Sequence, residues 1–115
     1  MAKENQNPTT WKGDYRKLEF TVEDVANLVG CSAKWALSAT ASSVKLLEKS
    51  SANSSQITIS GVVITVILNP TDTDYLSGLN AGTYYHELEI TDASGNPSTA
   101  AIGTLTLKDA IINPA

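Results

Sequence analysis

The sequence predicts an all-β protein: two packed antiparallel sheets of about seven short strands, preceded by an extended N-terminal arm. Three observations point there. Short stretches alternate apolar and polar side chains at period two, the mark of half-buried strands. Gly, Asn, Ser and Pro punctuate the chain between those stretches. Only 17% of residues are charged while Ser, Thr and Asn abound, a bias that suits pleated surfaces and turns better than the polar face of a surface helix. At 115 residues the chain has the size of one domain and buries roughly 65% of its unfolded surface, enough for one core without metals or disulfides.

Residues 1–14 carry no periodicity and contain Asn7-Pro8 and Gly13; they read as an extended arm. Trp11 stands out in it, because an arm tryptophan docks on something, its own domain or a neighbouring subunit. From Lys17, Leu18, Phe20 and Val22 share one face of a first strand. Gly30 opens a second, in which Cys31, Ala33, Trp35 and Leu37 point one way and Ser32, Lys34, Ala36 and Ser38 the other. Helical i, i+3, i+4 spacing is missing there. A third strand over 43–49 is weaker, since the adjacent Leu46 and Leu47 compete for the inside.

After the loop 50–55, Ile57 and Ile59 lead to a turn at Ser60-Gly61 and a strong strand over 62–68, together a hairpin. Val62, Ile64, Val66 and Leu68 form the more uniform set and are expected inside. Val63, Thr65 and Ile67 then point outward, on the sheet expected also to carry Ala36 and Ser38. Asn69-Pro70-Thr71-Asp72 signals a single helical turn, with a capping Asn, a Pro at the first position and an acid in the first turn. The next strand, 82–91, sets Tyr84, His86, Leu88 and Ile90 against Tyr85, Glu87 and Glu89. Ser94-Gly95-Asn96 marks a hairpin turn, and a last strand covers 98–107. The division is therefore 1–14 arm, 15–108 sandwich and 109–115 tail, with Ile111 and Ile112 of the tail able to fold back over the outward patch.

Chemistry-bearing patterns are sparse. The net charge is −4, and seven of eight basic residues precede Ser50; Lys12, Arg16 and Lys17 are interspersed with Asp14 and Glu19, too diluted for the counterion displacement nucleic-acid binding needs. Cys31 is the single cysteine, read as a small apolar side chain. His86, the single histidine, falls on an apolar face and reads as a satisfied core residue. Asp72-Thr73-Asp74 lacks the glycine and glutamate that complete a calcium loop. No residue is assigned to catalysis, a cofactor or a metal, and the chain is not expected to be an enzyme. The apolar run at 62–68 is far too short to span a membrane, and the polar start lacks a secretory leader, so synthesis in the cytoplasm is expected.

Leu79-Asn80-Ala81-Gly82-Thr83-Tyr84 resembles the tyrosine corner of immunoglobulin-like sandwiches, with Tyr84 turned back to a carbonyl near Leu79 and Trp35 packed centrally, without the inter-sheet disulfide of antibody domains. The ordered set Gly30–Leu37, 57–66, Leu68–Thr73, 79–88 and 103–107 resembles the β-sandwich domains of tailed-bacteriophage virion proteins, among them the N-terminal domain of baseplate upper proteins and small neck, tail and head-decoration proteins. It covers about residues 15–108. Members of the baseplate type continue into long C-terminal extensions, whereas this sequence stops at Ala115; on that departure from the baseplate pattern a stand-alone virion component is expected. The implied function is a structural protein made in the host cytoplasm and present in many copies on a capsid, neck or tail. Its partners would be other virion proteins and copies of itself, with no nucleic acid and no membrane. The alternative is a host-side adhesin-like or carbohydrate-binding module. Trp11, Val63 and Ile67 are the candidate protein-interface residues.

Overall fold

A computed structural model describes residues 6–22, 25, 27–40, 44–73 and 78–109. Among them are eight strands and one helical turn: β1 Thr9–Trp11, β2 Arg16–Thr21, β3 Ser32–Ser38, β4 Lys45–Ser50, β5 Ile57–Ser60, β6 Val63–Leu68, α1 Pro70–Thr73, β7 Gly82–Thr91 and β8 Pro97–Lys108. They form two sheets, one in the order β1-β8-β7-β3-β4 and one in the order β2-β6-β5. All pairings are antiparallel except β1 with β8, which is parallel.

The alternation in the sequence becomes the two-layer core. Leu18 and Phe20 of β2 and Ile64, Val66 and Leu68 of β6 face Ala33, Trp35 and Leu37 of β3, Leu88 and Ile90 of β7, and Leu105 and Leu107 of β8, and all are buried. Trp35, with 1% of its surface exposed, lies centrally as expected. The turns follow their sequence signals. In the β7–β8 hairpin the Asp92 carboxylate accepts from the N–H groups of Ser94 and Asn96, both at 2.9 Å, and Gly95 takes φ 87°. These bonds hold the Asp92 carboxyl below its ordinary pKa, the Asn96 N–H being the largest cause. In α1 the Asp72 carboxylate accepts from the Asn69 N–H at 2.7 Å while the Asp72 N–H donates to the Asn69 carbonyl at 2.9 Å, so the acid closes the turn.

Strand order identifies the architecture. The sequence β8-β7-β3-β4 against β2-β6-β5 is that of strands G-F-C-C′ against B-E-D in an immunoglobulin-like sandwich. The Tyr84 hydroxyl at the start of β7, the F strand, donates to the Asn80 carbonyl at 2.7 Å, next to Leu79, which completes the expected tyrosine corner.

Three sequence expectations are corrected. Of the stretch expected to precede the sandwich, Thr9–Trp11 is an eighth strand at its edge, paired with Thr106, Leu107 and Lys108; three residues are too few to show periodicity. Ala36 and Ser38 lie on the five-stranded sheet, not beside Val63 and Ile67, because β6 pairs with β2 and β5 while β3 pairs with β4 and β7. Val62, expected in the core, is half-buried in the turn with Gly61, since Ser60 pairs directly with Val63. The competition between Leu46 and Leu47 is resolved by a register shift opposite Leu37 and Ser38, which buries more of Leu47 and leaves Leu46 exposed. Asp74, Ile111 and Ile112 lie outside the described residues.

Candidate functional site

Two regions carry the polar and aromatic features that are not simple packing, and both involve His86.

The first is at the centre of the sandwich. His86 projects inward from β7 and is fully buried. Its Nδ1 accepts the Trp35 indole N–H at 3.1 Å. Nδ1 therefore carries no proton, the ring is the Nε2–H tautomer, and Nε2 donates to the Gln6 carbonyl. Phe20 of β2 and Trp35 of β3 stack obliquely on the imidazole, each with ring centroids 6.0 Å away. Burial pushes the His86 pKa below the ordinary imidazole range, partly countered by the bond to Gln6. The position is informative. In antibody domains the F-strand cysteine follows the corner tyrosine by two residues and bonds strand B beneath the strand C tryptophan. His86 follows Tyr84 by two, Phe20 faces it from strand B, and Trp35 is on strand C. A hydrogen-bonded aromatic cluster stands where those domains carry a disulfide. The Tyr84–His86 spacing was the sequence signal for it.

The second region is the N-terminal edge. Ahead of β1, residues 6–8 run along β8: the Gln6 N–H donates to the Ile102 carbonyl at 3.1 Å, the Thr106 N–H to the Pro8 carbonyl at 3.0 Å, and the Thr104 N–H to the Asn7 side chain at 3.0 Å. Gly103 makes this possible. It pairs with His86, and a Cβ there would lie 2.0 Å from the Gln6 carbonyl oxygen. A glycine in a strand interior marks close backbone approach, and this was the signal for the contact. The edge strand ends on Trp11, 43% exposed, with the Lys108 ammonium 5.7 Å from its ring centroid. Tyr15, just past the turn, is 56% exposed.

The expected interface residues are thus not brought together. Trp11 is on the edge of the five-stranded sheet. Val63 and Ile67 lie on the outer face of the other sheet and are half-buried there, Val63 between Thr21 and Ser60, Ile67 beside Lys17. Sequence reading also missed Lys49, which is buried at the margin of the core and paired with Asp72 at 2.7 Å, tying β4 to the turn that follows β6.

Among the described residues, no three His, Cys, Asp or Glu side chains come together to hold a metal ion, and no buried side-chain nitrogen or oxygen lacks a partner. Cys31 is free and half-buried against the core. Among the same residues, no helix is long and apolar enough to cross a membrane.

The chain defines an immunoglobulin-like β-sandwich, on its strand order and its Tyr84–Trp35 signature. No family model matches the sequence, and no curated protein matches it. Solved structures similar in shape include murine CRIg, at 14% identity and TM-score 0.42 over 91% of this chain and 92% of that one. Another is the extracellular domain of the voltage-gated sodium channel beta4 subunit, at 13% identity and TM-score 0.47 over 96% and 97%.

Proposed function

We propose that this chain is a non-enzymatic structural component of a tailed-bacteriophage virion, placed in many copies on a head, neck or tail and held by protein–protein contacts. The observation that carries the contact-based part is how the functional side chains are distributed. The single histidine has both ring nitrogens engaged inside the core, while Trp11 and Tyr15 stand partly in water at one edge. The imidazole is committed to packing, and large amphipathic side chains of the kind that anchor interfaces are left partly outside. The virion part is supported by the ordered resemblance of about residues 15–108 to phage sandwich domains. In this reading Val63 and Ile67, half-buried on the outer face of the other sheet, form a second contact.

The test is incorporation. Tagged chain expressed with the phage it accompanies should appear in purified particles at a stoichiometry set by the symmetry of its site, and Trp11→Ala should fold normally but be depleted from them. Particles that lack the parent chain would count against the virion reading. The exposed Trp11 and Tyr15 also favour a second reading, an adhesin-like or carbohydrate-binding module. Binding to a glycan array that Trp11→Ala and Tyr15→Ala abolish would select it.

A further inference from the structure

The groove along β8 is built to receive one extended backbone segment, and every copy of the chain carries that segment. We propose that two copies exchange it: the stretch from Gln6 to Trp11 of one copy seats on β8 of the other, and reciprocally. This rests on the multi-copy reading above and specifies its contact.

The receiving side is preorganised. Gly103 leaves the notch that the Gln6 carbonyl fills, since any Cβ there would overlap it. His86 aims its Nε2–H into that notch because Trp35 fixes the tautomer from the other side. Thr104 and Thr106 present N–H donors, and Ile102 presents a carbonyl, each at hydrogen-bond distance from the segment. These partners belong to β7 and β8. On the hinge side the Arg16 guanidinium donates to the Thr9 carbonyl and the Asp14 N–H to the Trp11 carbonyl.

The connection is short. The Asp14 N–H donates to the Trp11 carbonyl at 3.1 Å, and Gly13 sits in the left-handed region at φ 83°. A turn of this length folds the segment back on its own domain or, opened, passes it to a neighbour with the same groove bonds remade. Exchange of an identical element is a low-cost route to a dimer for that reason. Within one chain the segment is presented to its groove at an effective concentration on the order of millimolar. Intramolecular seating therefore prevails in dilute solution, and exchange competes where copies are crowded in an assembly. Trp11 ends the segment and is partly exposed in a single copy; in the exchanged pair it lies at the junction.

The test shortens the hinge in the full chain. Deleting Gly13 and Asp14 prevents the segment from reaching its own groove. Sedimentation at micromolar concentration should then show a dimer, with Thr104 and Thr106 amides protected from hydrogen exchange, and adding Gly103→Ala should return it to monomer. A monomer with those amides unprotected overturns the proposal, as does a dimer that survives Gly103→Ala. The unshortened chain gives a second reading. In a Cys31→Ser background, Asn7→Cys chains mixed with Thr104→Cys chains should form the mixed disulfide at millimolar concentration and at least tenfold less of it with Gly103→Ala. No mixed disulfide at that concentration also counts against exchange. Neither measurement involves a particle, so a chain that exchanges yet never enters a virion would refute only the virion reading.

Discussion

The centre of the sandwich and its N-terminal edge meet at one side chain and are held in different ways. At the centre, His86 is locked between Trp35 and Phe20, sealed by two sheets, with its neighbours supplied by β2, β3 and β7. At the edge, the same ring holds the Gln6 carbonyl, in a segment whose backbone runs along β8. The centre depends on burial and cannot be altered without affecting the whole domain. The edge depends on a few hydrogen bonds and one missing Cβ, so it can be released while the sandwich stands. That difference separates stability from assembly in this molecule.

The largest effect is expected at the centre. Trp35→Ala should lower unfolding free energy by about 3–5 kcal/mol, as large-to-small core changes do, and it strands the His86 Nδ1. Urea unfolding measures this; a loss below about 1 kcal/mol would mean that the centre is not where stability resides. Gly103→Ala should act next. The added methyl cannot coexist with the Gln6 carbonyl, so the segment must leave, at a cost of about 1–3 kcal/mol typical of overpacking. Hydrogen exchange should rise at Thr104 and Thr106 while the β3 amides stay protected. If both regions loosen together, the edge is not separable.

How much of this was legible in the sequence follows the same division. Period-two alternation with long apolar side chains revealed β2, β3, β6 and β7, because strands buried on one face must alternate. Tyr84 and Trp35 were readable from the corner motif and from parity. The His86 cluster was only half legible: the ring was placed on the inner face, but its partners Phe20 and Gln6 lie 66 and 80 residues away, and which distant segments come together is not written locally. The edge was least legible. Its strand has three residues, and its determinant, Gly103, is one glycine in an otherwise regular strand. Ala36 and Ser38 were assigned to the wrong sheet because the choice of pairing partner for β6 is a long-range matter.

A pH series sharpens the comparison further. The buried ring is neutral in the fold and its pKa lies below the unfolded value of 6.5, so on acidification the unfolded chain takes up its proton first. Stability is therefore full above about pH 6.5 and declines as pH falls from there toward the lowered native value. Since His86 is the single histidine, His86→Phe should flatten the unfolding midpoint between pH 7.5 and 5. The Asp92 contribution, from a carboxyl held low, is lost only at more acidic pH. A parent midpoint that is level across that window would contradict the buried neutral ring.

The smallest stability effect is expected on the outer face of the three-stranded sheet. Val63→Asp and Ile67→Asp should each melt within about 1 kcal/mol of the parent, the range of surface substitutions, and yet reduce incorporation into particles. Strong destabilisation would show that this face is covered from within the same chain.

The central claim, that Trp11 at the N-terminal edge serves contact and not stability, is tested most directly by Trp11→Ala measured two ways on one preparation. The account predicts a urea midpoint indistinguishable from the parent and at least tenfold fewer copies in purified particles by quantitative mass spectrometry. A variant that unfolds early, or one that enters particles at the parental copy number, would contradict it.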